Sequence, residues 1–289
     1  MWLLFACASA LFAGLTAVLA KQGVRTTDST LATALRTPVV LAGAWGMTLL
    51  SGSIRAIGQV DARSLVYLVL SGLATGASWL CYFKALQLGD VSRVAPVDKM
   101  STVLTVIMAV LLLGESLSAL GAAGLVLVTI GTLLMLRAED LRALPRALAG
   151  GGGWLLYALG AALFAALTAI LGKIGIAAVP SDLGTAIRTG VVLVMAWVMV
   201  GVAGRLRGAA HVPRGEMTWI LLSGVATCAS WLCYFRALQD GPASVVVPID
   251  KLGVLVSVAF SVLVLHEHVG VRALLGLAVL VVGTIALAL

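Results

Sequence analysis

The chain has 289 residues, of which 61% are hydrophobic and only 11% charged, with a mean hydropathy of +1.12 and a net charge of +7. Soluble domains lie nearer half apolar and a quarter charged, so this chain has too little polar surface to cover a water-soluble globule. Its Lys and Arg residues are scattered at segment ends and in short loops rather than gathered in a basic patch, which argues against nucleic-acid binding.

The apolar runs lack period-2 alternation, which favours helices over a barrel. A helix crosses the hydrocarbon core in about 20 residues. In chain order the first half offers spans at 2–21, 31–51, 64–86, 92–113 and 117–136. The second half offers 154–173, 183–204, 217–238, 244–265 and 270–288. The N-terminal run lacks a basic n-region and is too long for a signal h-region, so a first spanning helix is expected there. Cys7, Cys81, Cys228 and Cys233 fall inside apolar runs and read as small, reduced side chains.

The two halves are copies. Residues 71–87 (SGLATGASWLCYFKALQ) and 223–239 (SGVATCASWLCYFRALQ) agree at 14 of 17 positions, at an offset of 152. The same offset, without gaps, aligns 10–23 with 162–175, 33–45 with 185–197, and Pro96-Val97-Asp98-Lys99 with Pro248-Ile249-Asp250-Lys251. The division is therefore repeat 1 at 1–136, a linker at 137–153 and repeat 2 at 154–289. Five crossings per half is an odd number, so the second copy enters from the opposite face. The expected fold is an all-α membrane protein of ten transmembrane helices in two inverted five-helix repeats, an arrangement that suits alternating access in secondary transport.

Ionisable residues inside spanning helices mark functional sites by default. Lys21, Lys173, Lys84 and Arg236 lie near helix ends and read as snorkelling anchors. Arg36 and Arg188 lie deeper. Asp98-Lys99 and Asp250-Lys251 follow Pro96 and Pro248, which are expected to act as hinges. The aspartates either pair with the arginines or face a substrate; both readings stay open. The deep set holds four cations and two anions, and a positive surplus attracts a carboxylate or phosphate. Trp79 and Tyr82, repeated as Trp231 and Tyr234, share a helix face and suit a cavity wall. Gly124 and Gly131, with Gly276 and Gly283, form faces for close helix approach. Glu115 and Glu267 read as solvated turn carboxylates, and His266 with His268 does not complete a zinc site.

YFKALQLGDVSRVAPVDK, its copy YFRALQDGPASVVVPIDK and the Leu113-Gly114-Glu115 turn resemble the drug/metabolite transporter superfamily, in its EamA-type ten-helix branch. The resemblance covers about 2–136 and 154–288. It implies a central cavity lined by the first four helices of each repeat, with the fifth and tenth outside. It also implies export of amino acids, metabolites or drugs, exchange of sugar derivatives, or flipping of lipid-linked sugars. The first-helix glutamate that couples protons in small multidrug relatives has no counterpart here, since neither 1–21 nor 154–173 holds an acidic residue.

The expected function is secondary-active export or exchange of a small anionic or zwitterionic metabolite, such as an amino acid. The alternatives are a lipid-linked sugar flippase and a broad-specificity drug exporter. No catalytic constellation appears, so an enzyme is not expected. Neither a cofactor nor a metal is expected. The expected partners are a small-molecule substrate and the lipid bilayer, with a homodimer as an option. The expected location is the bacterial inner membrane, multi-pass. Loop arginines place the linker in the cytoplasm, whereas the resemblance implies cytoplasmic termini.

Overall fold

A computed structural model describes residues 1–88, 94, 97, 100–134, 153–263 and 270–289. Pro96, Asp98, Lys99, His266, Glu267, His268 and most of the expected linker lie outside the described residues. Among the described residues every regular element is helical. Without water to satisfy N–H and C=O groups, an apolar chain must close its backbone hydrogen bonds internally.

Repeat 1 contributes α1 (Trp2–Gly23), α2 (Ser29–Ser51), α3 (Ala62–Leu88), α4 (Ser101–Leu113) and α5 (Ala119–Leu134). Repeat 2 contributes α6 (Gly153–Gly175), α7 (Ser181–Val202), α8 (Arg214–Asp240), α9 (Ala243–Lys251), α10 (Gly253–Leu263) and α11 (Val271–Ala288). Local chemistry sets several ends. Asp28 caps α2 by accepting the N–H groups of Thr30 and Leu31 at 3.0 and 3.2 Å. Gly52 closes the same helix with φ at 76°, a left-handed conformation that glycine adopts without strain.

Six helices are long and apolar enough to cross a membrane: α1, α3, α6, α7, α8 and the run Ala243–Phe260. A seventh arises if α2 is joined to the short 3₁₀ helix Ser53–Gln59, which is bent 96° from it. Ser101–Leu113, Ala119–Leu134 and Leu274–Ala288 are apolar but shorter. The 13 residues of α4 rise about 20 Å, short of the roughly 30 Å hydrocarbon core. Length alone therefore supports six or seven of the ten expected spans among the described residues.

Pro248 lies inside α9 without ending it. The interruption comes at Leu252, where Leu252 N–H bonds to Ile249 O and Leu255 N–H to Leu252 O at 2.9 and 2.8 Å. These are tight i→i+3 bonds of the 3₁₀ kind.

The helices gather into two compact units that each draw on both repeats. One comprises Met1–Gly76, Leu171–Gly241 and Ile249–His266; the other comprises Ala77–Ile170, Pro242–Pro248 and Glu267–Leu289. In the first, α1 packs on α8 and α10, α2 on α7 and α8, and α7 on α8. In the second, α5 packs on α11.

The contacts come in twins related by the offset of 152. A Cβ on Gly72 would lie 3.0 Å from the carbonyl oxygen of Arg188, and one on Gly224 would lie 2.9 Å from that of Arg36. The Ser230 hydroxyl donates to Ser9 O at 3.2 Å, and the Ser78 hydroxyl donates to Ala161 O at 2.9 Å. In the α5–α11 crossing, a Cβ on Gly124 would meet Gly283 O and one on Gly131 would meet Gly276 O, both at 2.7 Å.

These pairs also give direction. Gly124 faces Gly283 and Gly131 faces Gly276, so equivalent helices α5 and α11 run antiparallel. Gly72 meets Val191 and Gly76 meets Met195, so α3 and α7 run parallel; Gly224 meets Val39 and Cys228 meets Gly43, so α2 and α8 do too.

Glu115 corrects one expectation. It is not a solvated turn carboxylate: its oxygens accept the N–H groups of Ala243 and Ser244 at 2.7 and 2.9 Å, capping α9. Glu216 does similar work in the first unit. It accepts Thr26 N–H at 3.0 Å, the Thr26 hydroxyl at 2.7 Å and Thr27 N–H at 2.9 Å, tying the α1–α2 turn to the start of α8.

Gly283→Val places a Cβ 2.6 Å from Val128 N and 2.8 Å from Gly124 O. Backbone atoms cannot swing aside, so a loss of about 1–3 kcal/mol is expected, read as a lower unfolding midpoint in detergent. Gly46→Ala, with nothing within 4 Å of the new Cβ, is expected to show none. Glu216→Ala strands three donors and is expected to lower the midpoint, with Glu216→Gln recovering part of the loss.

Candidate functional site

The centre of the site is one buried charge. Arg188 sits two turns into α7 and is only 3% exposed. Its Nε donates to the Ser71 hydroxyl at 3.1 Å and its Nη2 to the Thr75 hydroxyl at 2.8 Å. Ser71 and Thr75 are four apart on α3, so both hydroxyls leave the helix on one face. The guanidinium carbon lies 4.7 Å from the ring centres of both Trp231 and Phe235 on α8. Aromatic faces attract a cation most strongly where water is excluded.

What remains is Nη1, a buried donor with no hydrogen-bond partner among the described residues. No carboxylate pairs with Arg188 there either; the described ion pairs are Arg205–Asp28 at 3.8 Å and Arg236–Asp240 at 3.2 Å, both partly exposed. The guanidinium is thus bonded along its Nε–Nη2 edge, covered by rings and, among the described residues, unpartnered at Nη1, from which it can still donate to a carboxylate.

Arg36, the repeat mate of Arg188, is partly exposed in α2. Among the described residues its guanidinium makes no hydrogen bond or ion pair. Asp250 accepts a 2.5 Å hydrogen bond from Ser9, whose hydroxyl also lies 3.4 Å from that of Ser230. Tyr234 lies within electrostatic reach of both Asp250 and Arg188. Lys251 ends α9 beside the break at Leu252. Arg188, Trp231 and Tyr234, with Ser9 and Asp250, therefore belong to one unit. Trp79 and Tyr82 belong to the other unit, where Tyr82 packs on the cluster of Ala85, Trp154, Leu155 and Ala158.

The helix-end cations behave differently from one another. Lys173 donates to Gly241 O at 2.5 Å, closing the end of α8. Lys84 is exposed, 3.4 Å from Gln87 Oε1. Arg236 is exposed and bordered by Asp240. It also lines a cavity of about 500 Å³ with Phe5, Met47, Ser51, Asp182 and Cys233. On α8 this cavity is lined by Ala229, Leu232, Cys233 and Arg236, whereas the rings on Arg188 come from Trp231 and Phe235.

Sequence reasoning missed Ser71 and Thr75. Their spacing within the repeated block was the available signal: two hydroxyls four apart on an otherwise small-residue helix face. It also missed Ser9, whose repeat mate is Ala161 and which therefore leaves no repeated signal.

The EamA-like transporter family matches residues 1–137 and 152–289. An uncharacterized transporter in the cobO 3' region of a Sinorhizobium species is 46% identical over 134 residues, 46% of this chain and 95% of that protein. An uncharacterized protein of Methanocaldococcus jannaschii is 32% identical over 73 residues, 25% of this chain and 53% of that protein. A solved crystal structure shares the fold with a TM-score of 0.76 at 17% identity, covering 99% of this chain and 96% of that one. The two-fold match over nearly the whole length, on an all-helical apolar chain built from twinned contacts, makes this chain a member of the EamA-like transporter family and a multi-pass membrane transporter of the drug/metabolite superfamily.

Proposed function

We propose that this transporter is a secondary-active exporter or exchanger of a small carboxylate-bearing metabolite, anionic or zwitterionic, such as an amino acid. The observation that carries this reading is the unpartnered, buried Nη1 of Arg188. A buried guanidinium with no counter-charge among the described residues is expensive, and in this reading a substrate carboxylate supplies the acceptor. Asp250 and Tyr234, in the same unit, offer an acceptor and a hydroxyl for an amino group. Trp231 and Phe235 exclude water from the guanidinium faces, and Arg36 acts as the second cation of the pair.

Ten crossings in two inverted repeats form the frame of this reading. Antiparallel α5 and α11, with parallel α3 and α7, are the directions that five crossings per half require. The location that follows is a bacterial inner membrane, multi-pass, as fits a Sinorhizobium relative.

Two outcomes test this. Purified protein screened against amino acids and organic acids should gain thermal stability with a carboxylate, by about 2.7 kcal/mol at a hundredfold excess over Kd. Arg188→Gln should abolish that gain while still folding. Transport of a permanently cationic dye by sealed vesicles, with no carboxylate flux, would overturn the substrate class. Separately, a reporter fused after Leu289 and another in the 137–153 linker should report opposite faces; the same face for both would remove the inverted arrangement.

A further inference from the structure

The twin contacts expose one pair that is not a twin. Gly72 packs on Arg188 O and Val191, and Gly224 packs on Arg36 O and Val39, so the two backbone crossings match. Their side chains differ. Arg188 is buried and bonded to Ser71 and Thr75, whereas Arg36 is partly exposed and makes no bond to the equivalent Ser223 and Thr227.

Those two equivalents are nonetheless arranged to receive a guanidinium. The Ser223 hydroxyl donates to Ile220 O and the Thr227 hydroxyl to Ser223 O, both at 2.7 Å. With their hydrogens committed to carbonyls, both oxygens keep lone pairs for an incoming N–H. Thr75 is set the same way, its hydroxyl donating to Ser71 O at 3.0 Å while accepting from Arg188. The Thr227 hydroxyl also lies 3.3 Å from that of Thr16, a long contact that a charged donor displaces.

We infer that Ser71–Thr75 and Ser223–Thr227 are alternate docking sites for Arg188 and Arg36, of which only one is filled at a time. In the conformation seen here Arg188 is docked and Arg36 released. In the oppositely facing conformation Arg36 docks on Ser223 and Thr227 of α8, while Arg188 leaves Ser71 and Thr75 of α3. Each facing state then holds one arginine in place on its Ser–Thr pair and leaves the other released. The inference rests on the alternating-access reading above but not on the substrate class. Ser71, Thr75, Ser223 and Thr227 are positioning residues that act through the arginines.

Arginine footprinting reads both partners at once, without any substrate. Purified full-length protein is treated with p-hydroxyphenylglyoxal, and modification at each arginine is followed by peptide mass spectrometry. In the unmodified sequence Arg36 should react at least about tenfold faster than Arg188, since protection tracks the closed fraction. The double variant S71A/T75A should speed Arg188 and slow Arg36 together. Faster Arg188 with Arg36 unchanged or also faster means simple local release, and overturns the inference. The opposite variant, S223A/T227A, keeps the test open if the first fails to fold: Arg188 should then react more slowly than in the unmodified sequence, and an unchanged or faster rate overturns the inference. Thr75→Ser, which keeps the hydroxyl, should leave the pattern intact. A reciprocal pattern in a protein that shows no carboxylate response would retain the alternation and discard only the substrate class.

Discussion

Everything about the site follows from placing a permanent charge where water cannot reach it. Arginine stays protonated in proteins, so Arg188 cannot escape burial by losing a proton. Its surroundings compensate in three ways. Two hydroxyls take Nε and Nη2, two aromatic rings cover the faces at 4.7 Å, and Nη1 has no partner among the described residues. A carboxylate from the chain would complete the shell, but it would also fix the arginine permanently. Neutral hydroxyls hold it more weakly than an ion pair, as the proposed exchange of partners requires.

The frame that positions this charge is made by small residues. Close approach of helices in lipid depends on packing rather than on hydrophobic burial, because the lipid is as apolar as the side chains. Glycines at 72, 124, 131, 224 and 283 bring backbone oxygens so near that an added Cβ would lie within 2.7–3.0 Å of them. Gly72 thereby sets α3 against α7, and the same crossing carries Ser71 and Thr75 to Arg188. A glycine that permits contact and a hydroxyl that uses it are neighbours in sequence.

Much of the frame was legible from the amino-acid sequence. An offset of 152 repeated without gaps implied twinned packing, and the glycines spaced seven apart do meet across α5 and α11. The site was legible only in part. The depth of Arg188 singled it out, and Trp231 came with it as the aromatic of its repeated block. The hydroxyl partners stayed hidden, because Ser and Thr within a membrane helix commonly bond to their own backbone, and only the crossing angle of α3 on α7 tells which ones reach across. Glu115 was misread for a related reason. A carboxylate at a turn looks solvated until the start of a helix distant in sequence is found beside it, as Ala243 and Ser244 are.

The proposed alternation between two facing states requires them to be close in energy, a condition that duplicated repeats favour. The duplication is not complete. Glu216 holds Thr26 and Thr27 through three hydrogen bonds, whereas its repeat mate Ser64 turns inward on its own helix, its N–H bonded to Asp61 at 3.1 Å. Asp28 caps α2 with a carboxylate, while α7 follows Pro180 with no side-chain cap bond at that position. Both differences set the turn between α1 and α2 apart from its counterpart before α7, which is held instead by the Gln239 side chain donating to Ile176 O and Val179 O, both at 2.9 Å. The repeated helices thus carry twinned contacts, while the turns that escaped the repetition are tied down differently in the two halves.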